Sequence, residues 1–129
     1  MRRLHSPDVE DIRTWTPPVQ EDFGLLLQVF VAPTGSDGEE SFDVVVCTHK
    51  WFAEQTARKP FTLGRHYLFV LGYDYAQLVD FIRRYVERPA AATWPELATI
   101  IGRLGRWEFE DYRASPGYRA GRRQSNPSD

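Results

Sequence analysis

At 129 residues, with 42 % hydrophobic, 14 % aromatic and 26 % charged side chains, the chain has the size of one domain and can bury a sizeable core without disulfides or metals. No apolar run approaches the roughly 20 residues that span a bilayer, Cys47 has no second cysteine to pair with, and residues 1–13 contain no apolar signal segment, so a cytoplasmic protein is expected. The net charge of −2 hides an asymmetry: residues 1–50 hold nine acids against four bases, residues 51–113 eight against nine, and the remainder one acid against three arginines. An acidic folded part argues against a partner bound through its phosphate backbone and favours a basic protein partner.

In chain order, Ser6-Pro7-Asp8-Val9-Glu10-Asp11-Ile12 reads as a short helical turn, with Ser6 as N-cap, Pro7 at the first position and acids near the positive dipole end; Trp15-Thr16-Pro17-Pro18 stops it. The core is built from Phe23 to Thr48. Two β-branched apolar runs flank a turn rich in Gly, Ser and acids, the form of an antiparallel hairpin. Leu25 to Val31 is apolar on both alternations except at Gln28, which predicts a central strand covered on both faces. On the returning strand Phe42, Val44 and Val46 share one face, and Asp43 on the other is expected to be a solvated carboxylate.

Thr48 caps one or two helical turns that close before Pro60, with Trp51 and Phe52 facing inward, and His66 to Leu71 is a third apolar strand beside the hairpin. Asp74-Tyr75-Ala76-Gln77 opens a helix whose stripe is Tyr75, Leu78, Val79, Ile82, Tyr85 and Val86. A second capping box, Thr93-Trp94-Pro95-Glu96, opens another with Leu97, Ile100, Ile101 and Leu104, and Gly105 stands where a left-handed glycine ends a helix. Trp107-Glu108-Phe109-Glu110 alternates as an edge strand, rings inward. From Ala114 the Ser, Pro, Gly and Arg composition predicts a disordered polar tail. The expected fold is therefore α+β: one domain over 1–113, a mainly antiparallel sheet of four to five strands with two amphipathic helices packed on one face, and a tail over 114–129.

Candidate chemistry is sparse. His5, His49, His66 and Cys47 lack metal-ligand spacing, Cys47 at a strand end reads as packing, and no glycine-rich phosphate loop follows a strand, so neither cofactor nor metal is expected. The carboxylate pairs Glu39–Glu40 and Glu108–Glu110 read as solvated more readily than as acid and base. Trp15, Tyr73, Tyr75, Trp94 and Tyr112 lie at element ends, where rings bordered by acids can anchor a protein interface or pin loops to the core.

Six fragments together resemble the immunity protein 8 family of bacterial polymorphic toxin systems: His-Ser-Pro-Asp-Val-Glu-Asp (5–11), Asp-Phe-Gly-Leu-Leu-Leu-Gln-Val (22–29), Glu-Glu-Ser-Phe-Asp-Val-Val-Val-Cys-Thr (39–48), Gly-Arg-His-Tyr-Leu (64–68), Tyr-Asp-Tyr (73–75) and Trp-Glu-Phe-Glu-Asp-Tyr (107–112). His49 departs from the proline expected there. The resemblance implies a small cytoplasmic α+β protein, not an enzyme, that binds and blocks a toxin domain, and it supplies no catalytic residues. With the charge asymmetry it nominates Asp37, Glu39, Glu40, Glu108, Glu110 and Asp111 as contacts to a toxin whose class could be a nuclease, with no nucleic acid or membrane bound directly. Two other readings compete: a small carboxylate-dependent hydrolase using His66, and a homo-oligomeric scaffold.

Overall fold

The computed structural model describes residues 1–33, 35, 38–87 and 93–107 of the chain. Its frame is the pairing of β2 (Gly24–Val31) with β3 (Glu40–Cys47), an antiparallel ladder of eight residue pairs from Gly24 opposite Cys47 to Val31 opposite Glu40. Successive strand residues point to opposite faces. One face accordingly carries Leu25, Leu27, Val29 and Val31 with Phe42, Val44 and Val46, all at most 2 % exposed. Leu26, Gln28 and Phe30 on the other face are only half-buried, so the expectation that β2 is enclosed on both faces is corrected.

The remaining strands attach to the two edges of this ladder. A short strand that the sequence did not announce, β1 (Arg3–His5), runs antiparallel along β2, with Leu4 opposite Val29. Where β1 ends, the Asp8 carboxylate accepts the next β2 donor, the Leu26 N–H, at 2.8 Å. That use of Asp8 accounts for the loss of the expected helix at 6–12. Residues 7–10 form bends, in which Ser6 Oγ accepts the Asp8 N–H at 3.1 Å and so caps a turn rather than a helix.

On the far edge of β3 lie β4 (Tyr67–Phe69), parallel to it through Val45–Tyr67 and Cys47–Phe69, and β5 (Arg106–Trp107), antiparallel through Phe42–Trp107 and Asp43–Arg106. Among the described residues the sheet is thus five-stranded and mixed. The parallel pair is possible because the connection over 48–66 exceeds the dozen or so residues that a parallel crossover requires, and carries α1 (His49–Gln55) within it. The strand expected over His66 to Leu71 spans only Tyr67–Phe69; at its start His66 takes a φ of 67°, in the left-handed region that costs a non-glycine residue about 1 kcal/mol or more. Its carbonyl still accepts the Val45 N–H at 3.0 Å, and its ring Nε2 donates to the Gly102 carbonyl at 2.9 Å, tying the start of β4 to the end of a helix.

That helix is α3 (Trp94–Ile101), opened by the complete Thr93–Glu96 capping box; α2 (Tyr75–Glu87) precedes it, with the Gln77 N–H donated to Asp74 at 3.1 Å. Leu78, Ile82 and Val86 of α2, Ala98 and Ile101 of α3, and Leu104 beyond it share one core with the buried strand residues. Gly105 does not end α3 in the left-handed conformation, because the helix closes at Gly102 with φ −60°. Gly105 is needed for space: a Cβ there would sit 3.1 Å from the Asp43 carbonyl oxygen. Asp43 is not the fully solvated carboxylate expected, since it is half-buried and its Oδ1 is enclosed. Trp107 stacks on Phe42, but Glu108, Phe109, Glu110, the rest of that predicted strand and the tail over 114–129 lie outside the described residues.

Thr48 joins these parts. It is 3 % exposed, its N–H donates to the Phe23 carbonyl at 3.0 Å, and its Oγ1 accepts both the Phe23 N–H at 3.2 Å and the Trp51 N–H that caps α1 at 3.4 Å. Trp51 in turn lies where a Cβ on Gly24 would project, on the face opposite the core. Thr48→Ala therefore removes a helix cap and leaves a buried donor unmet, and is expected to cost about 2 kcal/mol in denaturant unfolding. Thr48→Ser, which keeps the oxygen, is expected to stay within about 1 kcal/mol of the natural chain.

Candidate functional site

The histidines and the cysteine do not converge. His5 is on β1, His49 stacks on Phe69 with ring centroids 4.6 Å apart, and His66 holds Gly102. No group of three or more His, Cys, Asp or Glu able to hold a metal forms among the described residues. Cys47 is fully buried, and burial raises its thiol pKa, the opposite of what activates a nucleophile. Two of the carboxylates nominated as partner contacts are described, and both are engaged within the fold. Glu39 accepts Arg3 Nη2 at 2.8 Å and Nε at 3.1 Å, and the same guanidinium lies 3.8 Å over the Phe30 ring. Glu40 accepts the Trp107 indole N–H, which brings the end of β5 to the start of β3. Both acids stand at the hairpin-turn end of the ladder. Asp37, Glu108, Glu110 and Asp111 lie outside the described residues.

The rings singled out at element ends turn out to hold the core together. Trp15, Phe23 and Tyr73 form an edge-to-face trio with centroids 4.8 to 5.9 Å apart. Tyr73 Oη donates to the Ile12 carbonyl, and its N–H donates to Gln20 Oε1 at 2.7 Å, so this trio pins the irregular segment 6–22 onto the sheet. Trp94 and Tyr75 are half-buried against the same core, and Tyr112 is outside the described residues.

Apolar exposure is found elsewhere, between α1 and the middle of α2. Phe61 is 91 % exposed, Leu63 83 %, Leu71 91 %, Phe81 44 % and Phe69 37 %. Phe69 belongs to a ladder of rings on the half-open face: it meets His49 and Phe52, and Phe52 meets Tyr67 edge-on at 4.9 Å. On the other side of β4, Phe69, Leu71, Gln77, Phe81 and Arg84 border a groove of about 490 Å³ between the strand and α2. Exposed apolar side chains beside a groove are a feature that interaction surfaces share, and Phe69, Leu71 and Phe81 border this one. The signal for it in the sequence is the unbroken apolar run from Tyr67 to Leu71: on a terminal strand, such a run cannot be covered on both sides.

A family model described as Immunity protein 8 matches residues 1–112 of the chain. The chain belongs to the immunity protein 8 family. No curated protein and no solved structure matches it. For a member of the immunity protein 8 family the partner is a toxin, and the surface that meets that partner is the functional site. No helix among the described residues is long and apolar enough to cross a membrane.

Burial pushes the Tyr73 hydroxyl from its ordinary value of 10.0 up to about 12. A raised folded-state pKa means that the neutral phenol's contribution is complete below pH about 10 and is lost as pH rises toward about 12. Stability is expected to fall across that window, and Tyr73→Phe to remove this part of the alkaline slope while costing about 1 kcal/mol at neutral pH, as read by unfolding at a series of pH values. Cys47 is expected to resist thiol reagents in the native protein and to react fully once unfolded; a fast native reaction would contradict its burial.

Proposed function

We propose that this immunity protein neutralises a cognate bacterial toxin domain by binding it directly, with no covalent chemistry of its own. The observation that carries the reading is the match to the immunity family over residues 1–112, on a chain in which five of the six exposed large apolar side chains among the described residues fall between Phe61 and Phe81 in sequence. Desolvating such side chains against a partner is the main source of affinity in a compact protein interface. The excess of acids in residues 1–50 adds a negative field that steers a basic partner, and a nuclease, whose cleft must attract nucleic acid, is the target class that this field favours. Asp37, Glu39, Glu40, Glu108, Glu110 and Asp111 are the proposed polar contacts. Glu39 and Glu40 suit that role because Arg3 and Trp107 hold their side chains in fixed orientations, so little rotamer freedom is left to lose on binding. A cytoplasmic site of action fits the single reduced cysteine.

The test is co-expression with the toxin domain encoded beside this gene. Rescue of growth and co-purification of a stable complex are expected. Reversal of Glu39, Glu40, Glu108 and Glu110 to Lys together is expected to slow association about tenfold at low salt and to flatten its salt dependence. Unchanged association would remove these acids from the interface, and failure of the natural chain to bind or protect would remove the toxin-neutralising reading itself.

A further inference from the structure

The acids proposed as contacts supply charge, and the outer edge of β4 offers backbone groups and apolar surface of a different kind. Among the described residues β4 is the last strand on its side of the sheet. The His66 carbonyl and the Val70 N–H both bond to β3, at 3.0 and 2.9 Å. Alternation along a strand therefore turns the N–H and C=O of Tyr67 and Phe69 away from β3, toward the outside. Sheet edges in natural proteins are blunted by charged side chains, prolines or a covering element. This one is Tyr-Leu-Phe-Val-Leu over 67–71, without a charge or a proline, and beside it runs the groove bordered by Phe69, Leu71 and Phe81.

We propose that this edge and groove receive an extended segment of the toxin, which adds a strand to β4 and places an apolar side chain, flanked by Lys or Arg, between Leu71 and Phe81. The proposal rests on the toxin-binding reading and deepens it. Three features specify the occupant. Outward-facing backbone groups at Tyr67 and Phe69 select an extended main chain. The walls at Leu71 and Phe81 select an apolar side chain. The charged groups on the rim are Asp74, Asp80 and Arg84, and the Arg84 guanidinium is already held by Asp80 at 3.0 Å, so the rim is acidic on balance and selects a cation. A second copy of this chain would bring the same two acids to the junction, which disfavours edge-to-edge self-pairing and favours a basic partner.

The experiment measures affinity and oligomeric state with the full chain and the co-purified toxin domain. Leu71→Lys and Phe81→Lys, at exposed positions that the fold does not need, are each expected to weaken toxin binding about tenfold or more, and Asp80→Lys about threefold. Phe69→Pro removes an outward N–H without removing a bond to β3, and is expected to bind more weakly than Phe69→Ala, which loses the same ring but keeps the donor. Circular dichroism and thermal midpoints check that each variant folds; should Phe69→Pro not fold, the two lysine variants decide. If the natural chain binds and Leu71→Lys and Phe81→Lys bind equally well, the groove is not the docking site, while the toxin-neutralising reading stands. If the natural chain is a dimer that Leu71→Lys dissociates, with toxin affinity unchanged, the occupant is a second copy and the proposal is overturned. If the natural chain does not bind the toxin at all, the parent reading falls and this inference with it.

Discussion

Everything in this fold hangs on the eight-pair ladder between β2 and β3. Its alternation puts seven fully enclosed aliphatic and aromatic side chains on one face, and they share one core with the buried residues of α2 and α3. Removing about 25 cal/mol per Å² of apolar surface from water is the largest favourable contribution a domain of this size has available. The two edges of the ladder then determine what can be added. β1 and the Asp8 carboxylate satisfy the free edge of β2, while β4 and β5 share the free edge of β3 end to end.

The same economy leaves the other side of the molecule less covered. α1, with Trp51 over Gly24 and Phe52 against Tyr67 and Phe69, shields part of the second sheet face, and the rest stays half-open. Beyond it the last strand ends in an apolar run with Leu71 almost wholly in solvent. Incompletely buried apolar surface of this kind is what a binding partner can cover.

Charge and apolar surface play different parts here. Glu39 and Glu40 stand at the turn end of the hairpin, where Arg3 and Trp107 hold them. Phe69, Leu71 and Phe81 border the groove between β4 and α2. Of the two roles open to the half-buried rings at element ends, Trp15 and Tyr73 take that of pinning a loop to the core, because an irregular segment such as 6–22 has few backbone partners of its own and needs rings to bind it to the sheet.

The sequence by itself determined the hairpin, the α1 cap at Thr48, the Asp74 cap of α2, the capping box of α3, the stripe of α2, and membership in the immunity protein 8 family, because these rest on local spacing and on short-range patterns. Only the tertiary structure decided that β4 runs parallel, that β1 exists at all, that Asp8 serves a sheet edge rather than a helix, and that Gly105 is small to make room for β3. It also decided which rings face solvent. Each of these depends on what lies across a gap between distant segments, and periodicity along a chain carries no information about the far side of that gap.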